Sequence, residues 1–315
     1  MTKPLNECIF CDLFAGTGAV GRAFKGRVKK VIANDREFYS FVLNQNYIAN
    51  HKRLENKMVL LKNLENLKGV GGKIYENYSL GGTKNKAYQR LYFSDENAAK
   101  IDAIRQKIEL LKDTNSINLS EYYFLLASLL ESADKVANTA CVYGAFLKKL
   151  KKSALKIIKL QGAEFECNDN ELEVFNEDAA TLITKIKGDI LYLDPPYNAR
   201  EYAANYHLLN TIALYDDFVP RGKTGLRTYQ KSEFCKKATV AKALENIIAK
   251  ADFKWIFLSY NDEGILAIEE IRSIFEKYGK YSLLSTKHQR FKTDSQRVQK
   301  QVGVVEYLHI LNKGG

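Results

Sequence analysis

The chain has 315 residues, with 48 Lys and Arg against 37 Asp and Glu and a formal net charge of +11. That length gives one large domain or two smaller ones an ample core, and the basic excess points to a polyanionic partner. No uninterrupted apolar run can span a bilayer and the N-terminus has no apolar signal core, which excludes a membrane protein and leads us to expect a cytoplasmic one.

The first element is the apolar run Cys8–Phe14, read as a strand. Its Cys8-x-x-Cys11 has no second pair, and the four histidines fit no ligand spacing, so buried thiols are expected and no metal. The run leads into Ala15-Gly16-Thr17-Gly18-Ala19-Val20-Gly21, a strand, tight glycine turn and helix opening of the kind that starts nucleotide-binding α/β folds. A second strand, Val31 to Asp35, ends in an acid at the offset that suits a ribose. These features fit a dinucleotide such as NAD, and they fit a plain tight βα turn. Asp12, just before the glycines, faces the place a cationic amino-acid group would take, which favours S-adenosyl-L-methionine.

Phe38 to Ile48 reads as a helix, after which βα alternation stops for about a hundred residues. Turn-rich stretches at 67–73 and 80–83 flank Tyr75, Tyr78, Tyr88, Tyr92 and Phe93. Ser94 then caps a helix with Ile101, Ile104, Ile108 and Leu111 on one stripe, and Ser120 is the expected cap of a second helix, Tyr122 to Val136. A third helix is expected over Phe146 to Lys159, with six lysines and no acid. It would put Lys148, Lys152, Lys156 and Lys159 on one face, either as a solvated surface or as a grip on phosphates.

Sheet logic resumes at Leu172–Asn176, followed by Asp178, which suits either a helix N-cap or contact with a bound adenine. The run Asp189–Leu193 has no polar break and reads as a strand buried on both faces. It ends in Asp194-Pro195-Pro196-Tyr197, whose prolines cannot continue a ladder, so the chain leaves the sheet at its carboxyl end, where open α/β sheets bind ligands. These residues suit methyl transfer to an aromatic amine. A carboxylate and a backbone carbonyl can accept the two N–H bonds of the amine, and Tyr197 can stack on the flat ring. Beyond them lie a polar and aromatic stretch to His207, a basic Gly-broken loop with Arg221, Lys223, Arg227 and Lys231, and a buried strand Trp255–Tyr260. A closing hairpin of Tyr281–Ser285 and Val302–Leu311 flanks a basic loop with Arg290 and Arg297.

In this order the motifs resemble the Dam-like adenine-specific DNA methyltransferases, most closely the FokI-type modification enzymes. The resemblance implies a doubly wound Rossmann-like α/β sheet of seven strands, the last antiparallel, carrying an inserted helical target-recognition domain. The core would be residues 1–60 and 166–315, and the insert 61–165. By the same resemblance Asp12, Phe14, Ala15, Gly16, Gly18, Asp35, Asp178 and Asp194 would hold S-adenosyl-L-methionine. Asp194, Pro195, Pro196 and Tyr197 would form the catalytic motif. Val142–Leu147, and Asn198–Tyr202 with Asn205–His207, resemble sequences special to the subgroup. Lys148, Lys152, Lys156, Arg227 and Arg290 are the expected contacts to double-stranded DNA. The expected activity is N6 methylation of a flipped adenine at a specific sequence, as the modification partner of a restriction endonuclease. The family's usual Gly-Lys segment and helix before the first strand have no counterpart in Met1 to Glu7. That leaves a silent DNA-binding protein as an alternative, beside a cytosine-N4 or RNA methyltransferase.

Overall fold

A computed structural model of the chain describes residues 3–289 and 303–314. Its strands are β1 (Ile9–Asp12), β2 (Lys30–Asn34), β3 (Glu171–Phe175), β4 (Lys187–Leu193), β5 (Asp252–Asn261), β6 (Lys280–Gln289) and β7 (Gly303–Asn312). They form one sheet in the order β3-β2-β1-β4-β5-β7-β6. β3, β2, β1, β4 and β5 pair in parallel, and β7 alone is reversed, antiparallel to both β5 and β6. This is the doubly wound sheet the sequence leads one to expect. The order reverses between β1 and β4, so their carboxyl ends border the crevice where such sheets take ligands.

One sheet face is closed by helices Ala179–Leu182, Val240–Lys250 and Ile268–Glu276. Its core includes Cys11, Leu13, Leu191, Leu193, Ile256 and Leu258, all fully buried. Alternate residues of β1 and β4 therefore point to the other face, Asp12 opposite Tyr192 among them.

The chain divides into two compact units, 1–44 with 168–201 and 231–315, and 45–167 with 202–230. Both limits differ from the expected 1–60, 61–165 and 166–315. The chain leaves the first unit sixteen residues early, where helix Phe38–Asn44 passes into the π-helical turn Gln45–Ala49. The stretch 202–230 joins the second unit because buried Arg105 donates from Nε to the Ile212 carbonyl (2.9 Å) and from Nη2 to that of Ala213 (3.0 Å). A cation satisfying the last carbonyls of helix His207–Leu214 is favoured by the helix dipole.

In the second unit, Ser94 caps helix Asp95–Asp113 through the Asn97 amide, as its sequence indicates. Helix Leu119–Val136 begins earlier than expected. Its cap is Asn118, in a reciprocal capping box with Glu121, and not Ser120. The expected lysine helix, Phe146 to Lys159, is absent. Buried Asn138 donates to the Leu91 and Leu147 carbonyls (2.9 Å each) and accepts from the Lys151 amide (3.0 Å). Asn97 likewise donates to the Lys156 carbonyl and accepts from the Ile158 amide (both 2.9 Å). Side-chain amides thus take the backbone groups that a helix would pair internally. Lys148, Lys152 and Lys156 are exposed on this loop. Arg290 and Arg297 lie outside the described residues.

Candidate active site

Four acids stand at the carboxyl ends of four parallel strands: Asp12 on β1, Asp35 after β2, Asp178 beyond β3 and Asp194 after β4. The glycine turn between Asp12 and helix Ala19–Phe24 uses left-handed backbone at Gly16 (φ +53°) and Gly18 (φ +79°), which residues with a Cβ adopt at a cost. The turn is tied down by the Gly18 amide donating to the Ala15 carbonyl (2.7 Å) and the Ala15 amide to that of Asn34 (2.8 Å).

Asp12 is 1% exposed. Its Oδ2 accepts from the Gly21 amide (3.3 Å), while the buried Oδ1 has no hydrogen-bond partner. Burial, reinforced by the charges of Asp194 and Asp35, pushes its pKa up to about 8. Such a carboxyl is poised for a cation. Asp35 spans the turn, accepting from Gly16 (2.9 Å) and Glu37 (2.8 Å), and burial raises its pKa to about 6 despite those bonds. Each oxygen retains a lone pair for a hydroxyl. Asp178 caps the short helix Ala179–Leu182 with one oxygen, accepting from Ala180 (3.0 Å) and Thr181 (3.3 Å). Phe14 packs edge-on against Phe234, ring centres 5.2 Å apart.

Asp194 is exposed at the end of β4, while Pro195 behind it is buried. Desolvation by the surrounding protein, then the Glu306 charge on β7, lifts the Asp194 pKa to about 6. The Tyr197 ring rests edge-on against Tyr260 of β5 (6.3 Å, 75°), and its carbonyl accepts from the Ile265 amide (2.9 Å). Past the motif, the Glu201 carboxylate accepts from the Ser232 amide (3.2 and 3.0 Å).

Several supports escape sequence reasoning. Asn34 donates to the Leu13 and Glu177 carbonyls (3.1 Å each) and accepts from the Glu177 amide (3.0 Å), joining the ends of β1, β2 and the segment after β3. Asn44 holds the Gly16 carbonyl (3.0 Å). A buried amide directly before Asp35 is the one signal that marks Asn34. Among the proposed DNA contacts, Arg227 faces inward. Its Nη2 lies 2.7 and 2.8 Å from the two oxygens of Asp216, and its guanidinium stacks 4.4 Å from the Phe218 ring centre. In the second unit the two subgroup sequences meet, the Tyr143 amide donating to the Asn205 carbonyl (2.7 Å).

A seven-stranded sheet with one reversed strand, a glycine turn between acids, and Asp-Pro-Pro-Tyr after β4 together define an α/β methyltransferase. Within that class the chain belongs to the D12 class N6 adenine-specific DNA methyltransferases, whose family model matches residues 3–274. It is 57% identical over 311 residues to type II methyltransferase M.NlaIII of Neisseria lactamica, covering 98% of this chain and 92% of that one. Type II methyltransferase M.CviAII of Paramecium bursaria Chlorella virus 1 is 39% identical, covering 95% and 88%. Type II methyltransferase M.FokI of Planomicrobium okeanokoites is also 39% identical over 97% of this chain, which spans about half (48%) of its length. The chain is accordingly an enzyme, a site-specific adenine DNA methyltransferase. No helix among the described residues is long and apolar enough to cross a membrane.

Proposed function

We propose that the first unit binds S-adenosyl-L-methionine and carries out methyl transfer to N6 of an adenine flipped out of double-stranded DNA, with the second unit choosing the sequence. The observation that carries this reading is Asp12 Oδ1, a buried carboxylate oxygen without a partner, coupled electrostatically to Asp194. A site that keeps an orphaned acid beside its catalytic acid fits a cationic amino-acid group on the donor, and NAD offers no such group there.

When bound, S-adenosyl-L-methionine supplies an electrophilic methyl group. In this assignment Asp12 takes the ammonium, Asp35 the ribose hydroxyls and Asp178 the region of the cofactor adenine, while Phe14, Ala15, Gly16 and Gly18 line the approach. Asp194 and a carbonyl of the Pro195-Pro196 turn accept the two N6 hydrogens. That favours a pyramidal nitrogen and stabilises the positive charge it gains. Tyr197, steadied by Tyr260, stacks on the flipped base. No strong general base is required, because the amine becomes acidic only as the methyl arrives. The chain's place as the modification partner of a restriction endonuclease belongs to the same proposal.

The cofactor half is tested by titration. Asp35→Ala should weaken S-adenosyl-L-methionine binding by roughly 1.5–3 kcal/mol through loss of a charge-assisted bond. Unchanged affinity for this donor, together with tight NAD binding, would overturn the assignment.

A further inference from the structure

The second unit contains a guanidinium in an unusual setting. Arg90 is 4% exposed, and among the described residues no carboxylate pairs with it. Its donors go to backbone carbonyls: Nε to Lys223 (3.2 Å), Nη2 to Gly222 (3.0 Å) and Nη1 to Asn77 (3.2 Å). Burying a cation on neutral partners is costly, so the arrangement calls for a return elsewhere.

The carbonyls of Gly222 and Lys223 belong to a tight turn. Arg221 and Leu226 exchange both backbone hydrogen bonds at 2.9 Å. Between them Gly222 and Gly225 take left-handed backbone (φ +62° and +71°). Gly225 leaves no room for a side chain, since a Cβ there would meet Arg90 Nε at 2.9 Å and Tyr78 Cε1 at 3.0 Å. The buried Tyr78 hydroxyl donates to the Gly225 carbonyl (2.7 Å), and Arg227 anchors the outgoing chain on Asp216 and Phe218. The turn is thus braced by Arg90 and Tyr78, while Arg221, Gly222 and Lys223 along its first limb are exposed.

We propose that the Arg221–Leu226 turn grips the DNA backbone, with Arg221 and Lys223 binding phosphates and Arg90 as the residue that positions them. The inference rests on DNA being the substrate. A turn already braced spares the backbone the ordering cost of binding, and the buried charge of Arg90 adds to the positive potential of the turn. Arg227, the residue of this loop that the sequence singles out, serves here as an internal brace.

The test uses the full chain, a fluorescent duplex of arbitrary sequence, and binding measured across a salt series. Methyl transfer to unmethylated plasmid DNA by the wild type runs alongside. Arg221→Ala/Lys223→Ala should weaken duplex binding about tenfold or more and lower the log–log salt slope by about 1.8, at about 0.9 per phosphate no longer neutralised. Affinity for S-adenosyl-L-methionine should stay unchanged. Arg90→Gln should weaken duplex binding too, and added to the double variant it should cost little more, as expected for residues acting as a unit. Unchanged affinity and slope in the double variant would overturn the proposal. Fully additive loss on adding Arg90→Gln would remove the positioning role. A wild type that binds through this turn but leaves adenine unmethylated would count against the reaction and not against the turn.

Discussion

Asp12 and Asp194 are carboxyls whose pKa values are both raised, and each serves its proposed role in the ionised form that rising pH favours. In the proposed reaction Asp194 has to be ionised to accept the N6 hydrogens, so activity should climb as pH rises through about 6 and fall away below it. Asp12, with a pKa near 8, is mostly protonated at pH 7 until a cation lies against it. Binding an ammonium there pulls its pKa down, so cofactor binding should release up to about one proton and tighten as pH rises from 6 to 8. Calorimetry in buffers of different ionisation enthalpy reads this directly. A pH-independent affinity without proton release would mean that the ammonium does not sit on Asp12. In the free protein the sign is reversed: an acid whose folded pKa is raised binds more protons folded than unfolded. Its contribution to stability is therefore lost as pH rises from about 4 to about 8. The acids are legible in the sequence because each follows an apolar strand run. Asn44, which holds the Gly16 carbonyl, is not, since nothing local distinguishes a bracing amide from a solvated one, and Asn34 is marked only by its place directly before Asp35.

The lysine-rich segment shows why periodicity misleads for an element that other parts of the chain capture. Leu147, Leu150, Ala154 and Ile157 recur at helical spacing, yet Leu155 and Ile157 are 66% and 59% exposed and Ala154 and Ile158 are buried. Asn138 and Asn97, distant in sequence, set that pattern. Asn138→Ala would remove the side-chain partner of two part-buried carbonyls and an amide, and should destabilise the second unit by about 1–3 kcal/mol in urea unfolding. A change too small to resolve would argue for a segment that holds its own shape. The exposed lysines still suit phosphates better than base edges, having no planar fork. Neutralising Lys148, Lys152 and Lys156 together should weaken binding to all DNA sequences about equally, with the salt slope falling by up to about 0.9 for each phosphate these lysines neutralise. Unchanged affinity and slope would make them a solvated surface. A changed recognition sequence would make this loop a reader of bases.

For the whole molecule, the strands follow from the short apolar runs, while the seven-stranded sheet with its last strand antiparallel is what the family resemblance implies. The division into units is harder to read, because stretch 202–230 follows the Asp-Pro-Pro-Tyr motif in sequence and joins the second unit through long-range contacts such as those of Arg105 and Tyr143. A net charge of +11 serves such a protein by drawing it to a polyanion. At the centre of the proposed chemistry, Asp194 directs a methyl group to N6 of adenine in DNA. The most direct test supplies purified protein with methyl-labelled S-adenosyl-L-methionine and unmethylated duplex DNA, then digests the DNA to nucleosides and locates the label. The label should appear on N6-methyldeoxyadenosine, with a loss on the order of a hundred- to thousand-fold in Asp194→Ala. Label on cytosine, or wild-type turnover by Asp194→Ala, would contradict that role.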